Sequence, residues 1–234
     1  MTRSWEEVAL QSIAHVNPKE SLTRGESAPF IAVADVAENY GGVQSVNHKP
    51  FKGGGARFRS GDVLLARITP CLENKKIATV PDIGEAVVGH GSTEFIVVRG
   101  MPGVSDTRFL HYLMISPELL SFAVPHMNGS SGRQRLPAQS LGEFRFRLPP
   151  LDEQRRIAGV LGALDDLIEV NRGLMQDLDE LGMTLFRSVW DGQSWAPLSE
   201  VGTVTMGQSP PGSTYNEAGL GTVFYQGVRD FGDR

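Results

Sequence analysis

The chain has 234 residues, 40% hydrophobic and 21% charged, with a net charge of −5, a composition that fits one large or two small globular domains. It excludes a collagen-like, wholly disordered or all-coiled-coil chain, and no apolar run approaches the ~18 residues of a membrane span. Acidic residues in MTRSWEEVALQSIAHV stand where a signal peptide would carry its apolar core. The single cysteine, Cys71, can form no internal disulfide, so a small buried residue in a cytoplasmic protein is expected.

Residues 1–148 alternate short β-rich runs with Gly and Pro. The strand candidates are Phe30 to Val36, Asp62 to Ile68, Lys76 to Val80, Ala86 to Val88, Glu94 to Arg99 and Glu143 to Leu148. Arg108 to Val124 has helical spacing, which Pro117 divides in two. Together these predict an α+β domain. Between the strands lie two polar, glycine-rich, basic loops, QSVNHKPFKGGGARFRSGD and PHMNGSSGRQRLPAQS.

From Leu151 to Val189 the pattern changes to a proline-free helical repeat of roughly 35 residues. With Ile157 at heptad position a, the a and d positions hold Ile157, Val160, Leu164, Leu167, Asn171, Leu174, Leu178, Leu181, Leu185 and Ser188. Leu161, Ile168 and Met175 at position e widen the stripe, which predicts contact with more than one neighbour. Pro149 and Pro150 block the helix upstream, Asp152 is the expected N-cap, and Asp191 with Gly192 ends it. A helix this long cannot bury its own stripe, and Asn171 at a central a position would fix register with a partner helix.

After the helix the chain repeats itself. Trp5, Leu10 and PFIAVADV near the start correspond to Trp195, Leu198 and VFYQGVRDF, aligning Phe30 with Phe224 and Asp35 with Asp230. Three segments are therefore expected: a first domain (1–148), a spacer and dimerisation helix (149–191), and the beginning of a second, incomplete domain (192–234). The last has too few strands to build a core.

Catalytic chemistry has no visible carriers. His15, His48, His90, His111 and His126 lack metal-ligand spacing, Gly53-Gly54-Gly55 is followed by Ala56 and Arg57 rather than a phosphate-loop lysine, and Gly129 to Gly132 does not form a nucleophile elbow. The Asp165-Asp166 pair reads as a solvated helix face.

Recognition chemistry is present instead. Residues 1–150 carry 16 Lys and Arg against 14 Asp and Glu, whereas 151–234 carry 6 against 13. Within 48–76, Lys49, Lys52, Arg57, Arg59, Arg67, Lys75 and Lys76 face only Asp62 and Glu73, the concentration that a phosphate-contacting surface needs. A solvated basic loop is the alternative on charge alone. Arg57 and Arg59 alternate across Phe58 and would point the same way, free to meet phosphates or a guanine edge. Ser130, Ser131, Arg133, Gln134 and Arg135 supply the hydroxyl, amide and guanidinium groups that read base edges and phosphates together. The DNA-binding candidates are thus Lys49, Lys52, Arg57, Arg59, Arg67, Lys75, Ser130, Ser131, Arg133, Gln134 and Arg135. As loop residues, Arg57, Arg59 and Arg133 are expected to tolerate alanine without loss of the fold.

The segment LPPLDEQRRIAGVLGALDDLIEVNRGLMQDLDELGMTLFRSVW resembles the central conserved helix of type I restriction-modification specificity subunits. The resemblance rests on Pro149, Pro150, Leu151, Glu153 and Gln154, then Ile157-Ala158 and the Asp165 to Ile168 stretch. Gly61 to Leu65, Gly207 to Pro211 and Tyr215-Asn216 support it. It implies target recognition domains, each reading half of a bipartite double-stranded DNA site, separated by conserved antiparallel helices. Those helices would space the domains and dock adenine methyltransferase subunits, with a restriction/translocase subunit joining. S-adenosylmethionine, ATP and Mg would be bound by the partners, none by this chain. A half-length subunit could pair with a second copy through the helix and read an interrupted palindrome. Two other readings remain open: a recognition fragment of a fused restriction-methyltransferase enzyme, and a coiled-coil adaptor without DNA binding.

Overall fold

The computed structural model describes residues 5–85, 87–130, 132–190, 192, 196–203 and 205. Among them the strands are β1 (Glu6–Ala9), β2 (Ala14–Val16), β3 (Ser27–Ile31), β4 (Asn47–Pro50), β5 (Ala56–Phe58), β6 (Val63–Ala66), β7 (Ile77–Thr79), β8 (Gly89–Gly91), β9 (Phe95–Gly100) and β10 (Arg145–Leu148). The helices are α1 (Thr107–Met114), α2 (Pro117–Ala123), α3 (Ala138–Gly142), α4 (Leu151–Val189) and α5 (Leu198–Val201). The chain divides into two compact units, 1–174 and 175–234.

In the first unit, VLLA of β6 and FIVV of β9 are unbroken apolar runs, the pattern of strands covered on both faces. They lie at the centre of a four-stranded sheet of order β2-β9-β6-β7. Val63, Leu65, Ile77, Ile96 and Val98 point into one core with Leu110 and Met114 of α1, Leu119 of α2, Leu141 of α3 and Ala158 of α4. Leu64, Ala66, Ala78, Phe95 and Val97 point the other way, onto Ile31 and Phe58 of a second sheet of order β4-β3-β8-β5. Helices, sheet and sheet thus form three layers around a strand pair apolar on both sides. The third sheet, β1 with β10 antiparallel, brings the segment starting at Glu6 beside the residues that lead into α4.

Several expectations shift in place. The run from Phe30 to Val36 is strand only to Ile31; Asp35 then accepts the Ala32 amide through its carboxylate at 2.7 Å and holds Val33–Asp35 in a 3-10 turn. No strand forms at the described residues of Ala86 to Val88. β8 begins one residue later, because Gly89 and Gly91 let the Phe58 ring lie against the backbone, where a Cβ at Gly89 would sit 2.3 Å from it. The first basic loop contains β4 and β5, and β1 and β2 lie in the segment before Phe30. Pro117 does divide the helical run, as the first residue of α2 behind a Ser116 cap. Cys71 is half-buried against the second core.

Helix α4 begins at Leu151, so the cap is not Asp152: the Pro150 carbonyl accepts the Gln154 amide at 2.9 Å, and Asp152 lies inside the first turn, still favourable to the dipole. Gln154, Ala158 and Gly162, spaced by four, are buried against the domain. Asp165 is not merely solvated, since the Tyr112 hydroxyl donates to it at 2.6 Å, and Arg108 reaches Asp166 at 3.8 Å. Burial and the Asp165 hydrogen bond push Tyr112 up to about 12. Beyond Gly162 nothing described on the helix is buried.

In the second unit, the rings of Phe186 and Trp190 stack at 5.6 Å. Leu198 opens a short helical turn, as Leu10, its counterpart in the proposed repeat, opens a 3-10 turn. Asp191, Trp195, Gly207 to Pro211, Tyr215-Asn216, Phe224 and Asp230 lie outside the described residues.

Candidate nucleic-acid interface

The second basic loop meets the segment that follows β6, at the far end of the basic stretch 48–76. The Thr69 amide donates to the Gln134 carbonyl at 3.0 Å and the Leu136 amide to that of Arg67 at 2.8 Å. Asn128 and Arg135 pair through two hydrogen bonds and close a hairpin, with Gly129 and Gly132 at positive φ near its tip. Ser130 and Arg133 are exposed on that tip; Ser131 lies outside the described residues.

Lys49 and Lys52 flank a cleft lined by Phe30, Phe51, His90 and Gly53 to Gly55. Lys49 Nζ stands 4.1 Å from the centre of the Phe30 ring. His90 is buried between the Phe30 and Phe51 rings, and its Nε2 meets the Lys49 carbonyl oxygen at 3.1 Å. At Gly55 only glycine fits: its φ is +76° and a Cβ there would come 2.3 Å from the Gly91 carbonyl oxygen. Close backbone approach therefore seats the loop on β8.

Arg57 and Arg67 line a second cavity, of about 610 Å³, with Lys19 and Thr93. Gly55 and Thr93 border both hollows. Lys75 lies elsewhere, its Nζ 5.6 Å from the Tyr40 ring. Lys76 donates to the Val36 carbonyl at 2.8 Å and is thereby a local brace.

Not every basic residue is free. Arg57 and Arg59 do point the same way, but toward Glu20. Arg57 donates to the Glu20 carbonyl oxygen, and Arg59 donates through Nε and Nη2 to its carboxylate at 2.7 Å each. Arg99 bridges the same carboxylate at 2.6 Å and that of Asp62 at 2.6 and 2.7 Å. The Glu20 and Asp62 side chains are only 7% and 2% exposed, which makes this a part-buried network of two acids and two guanidinium groups. The hydrogen bonds from Arg59, then those from Arg99, overcome burial and hold Glu20 down at about 2. The carboxylates in turn raise both guanidinium groups. Arg135 is similarly engaged, forming a two-pronged pair with Glu94 at 2.7 to 3.1 Å that lowers the Glu94 pKa. Charge clustering in the sequence did not separate these paired arginines from Arg133, because Glu20 and Glu94 lie 39 and 41 residues away from their partners.

The helix candidates fall into two classes. Ile157 is half-buried against the domain core. Val160, Leu164, Leu167, Leu174, Leu178, Leu181 and Leu185 are each 52% to 61% exposed, and Asn171 is exposed. No helix among the described residues is long and apolar enough to cross a membrane.

Known proteins resemble this chain. The EcoEI type I restriction enzyme specificity subunit of Escherichia coli is 29% identical over 208 residues, spanning 86% of this chain and 35% of that protein. The EcoAI specificity subunit of the same organism is also 29% identical, over 84% of this chain and 36% of that protein. This chain therefore spans about a third of the length of these curated relatives. The crystal structure of the HsdS subunit from Thermoanaerobacter tengcongensis is 27% identical and superposes with a TM-score of 0.60, covering 100% of this chain and 63% of that one. A family model described as the type I restriction modification DNA specificity domain matches residues 2–180, and the chain belongs to that family.

Proposed function

We propose that this chain is a non-catalytic specificity subunit of a type I restriction-modification complex, whose domain reads one half of a bipartite site in double-stranded DNA. The observation that carries the reading is the pairing of the second basic loop with the basic stretch 48–76, through Thr69 with Gln134 and Arg67 with Leu136, on a domain of this family. Lysines and arginines at the hollows supply phosphate contacts, while the hairpin tip with Ser130 and Arg133 offers groups suited to base edges. Helix α4 is the docking element. Its exposed leucines suit adenine methyltransferase subunits, or a second copy of the chain paired antiparallel, with a restriction/translocase subunit joining the assembly. Methyl transfer from S-adenosylmethionine and ATP- and Mg-dependent cleavage are then the work of those partners.

Methylome sequencing of cells with and without the gene tests this directly. Loss of one adenine-methylated bipartite motif on deletion is the expected result; an unchanged methylome, together with no salt-dependent binding of the purified chain to duplex DNA, would overturn it.

A further inference from the structure

We infer that the cavity between Lys19, Arg57 and Arg67 is a discrete phosphate subsite, which takes one backbone phosphate of the DNA. The inference deepens the DNA-binding reading and rests on it for the source of the phosphate. Its volume, about 610 Å³, is that of an ordinary small-ligand pocket, ample for a sugar-phosphate unit. The charge around it is unbalanced in favour of an anion. Glu20 is the one carboxylate lining it, and that group is already taken by Arg59 and Arg99. Arg57 spends a donor on a neutral carbonyl, so its charge is uncancelled.

Arg67 is the decisive group. Its Nε is buried with no hydrogen-bond partner. The Glu94 carboxylate acts on it, but both oxygens of that group accept from Arg135. A guanidinium with an unsatisfied buried nitrogen, whose carboxylate neighbour is already taken, is costly, and a phosphate in the cavity that Arg67 lines would give its charge a partner. Lys19 is exposed at the rim, and Thr93 offers a hydroxyl. The cavity also borders the Lys49 and Lys52 cleft through Gly55 and Thr93, so a strand whose phosphate sits here runs past both lysines.

The test uses the full chain, its Arg67→Ala and Lys19→Ala variants, inorganic phosphate followed by calorimetry, and a mixed-sequence duplex titrated at several salt concentrations. Expected are saturable phosphate binding by the wild type, weakened about tenfold or more in Arg67→Ala, and a duplex salt slope lowered by about one unit in each variant. Lys19→Ala removes only an exposed side chain, so it decides the matter if Arg67→Ala unfolds. Phosphate binding that is absent from the wild type, or unchanged in both variants, overturns the subsite. Duplex binding with an identical slope in all three proteins overturns it while leaving the DNA-binding function standing. Phosphate held by the wild type with no duplex bound would instead assign the pocket to free phosphate and overturn that function.

Discussion

The side-chain oxygen of Gln154 accepts the backbone amide of Asp106 at 2.9 Å and so ties the first turn of α4 to the residue that caps α1. The same side chain donates through Nε2 to the carbonyl oxygens of Pro149 at 2.9 Å and Val104 at 3.2 Å, and it is 1% exposed. All its bonding capacity but one acceptor site is thus used between the proline pair and the α1 cap. This gives the Pro-Pro-Leu-x-Glu-Gln motif a mechanical meaning: the prolines end β10, and the glutamine fixes the direction in which the helix leaves the domain.

Gln154→Leu should therefore cost about 1–3 kcal/mol, because it leaves the Asp106 amide and two carbonyl groups buried without a partner. Urea unfolding of both proteins measures it. Gln154→Glu keeps the acceptor for Asp106 but turns an oxygen toward two carbonyls, so it should destabilise as well. Equal midpoints for wild type and Gln154→Leu would mean that the first turn of α4 contributes nothing to the domain.

Glu20 sets an acid limit on stability. Its folded pKa, about 2, lies below the ordinary carboxylate value of 4.5, chiefly through hydrogen bonds from Arg59 and then Arg99. The group binds fewer protons folded than unfolded between those values, so its contribution is complete above pH ~4.5 and is lost as pH falls toward 2. Glu20→Gln should lower stability near pH 7 by about 1–3 kcal/mol, the worth of hydrogen bonds to a charged group. It should also flatten the stability profile between pH 4.5 and 2. Thermal melts across that range check both, and parallel profiles for the two proteins would contradict the assignment.

What could be read in advance followed from periodicity. The double-sided strands β6 and β9 and the 39-residue α4 announce themselves as apolar runs or heptads, and Pro117 marks a helix boundary by its missing amide. What could not be read depends on partners distant in sequence. β8 is Gly-His-Gly, a poor strand by propensity, and exists because glycine lets Phe58 and the Ile31 carbonyl approach. β4 and β5 are only four and three residues, Asn-His-Lys-Pro and Ala-Arg-Phe, held by neighbours in the sheet rather than by their own pattern. The candidate site shows the same limit. The basic loops are visible as charge, but whether an arginine is free or paired is decided by Glu20 and Glu94 from other parts of the chain.

Arg59 and Arg133 consequently should not behave alike on substitution. Arg59→Ala removes two hydrogen bonds to a buried carboxylate and leaves Glu20 to Arg99 alone, so it should lower the melting temperature and change the duplex salt slope little. Arg133 sits exposed on the hairpin tip, with no side-chain hydrogen bond among the described residues, and Arg133→Ala should leave the melt unchanged. Its effect should fall on DNA: about one unit of salt slope if it meets a phosphate, or ~1–3 kcal/mol and relaxed sequence preference if it meets a base. Melting curves beside salt-dependent binding separate the two. A stable Arg59→Ala with a reduced slope would return that residue to the DNA surface.

The helix makes the remaining prediction. Val160, Leu164, Leu167 and Leu174 of α4 are more than half exposed, although each would gain ~1.5–3 kcal/mol from full burial. The domain does not cover them, because its buried contact with the helix runs along Gln154, Ala158 and Gly162, and only the polar contacts of Tyr112 with Asp165 and Arg108 with Asp166 lie beyond. A second helix laid along the exposed side would bury them, and Asn171 in the same stripe would favour a single register. Leu167→Asp combined with Leu174→Asp places carboxylates in that seam without touching the domain core, so folding should survive while association fails. Sedimentation at micromolar concentration, of the chain alone and mixed with the proposed adenine methyltransferase partner, reads this out. The wild type should form a dimer or a mixed complex and the double variant neither. A wild-type monomer in both mixtures would overturn the role of α4 as a docking helix.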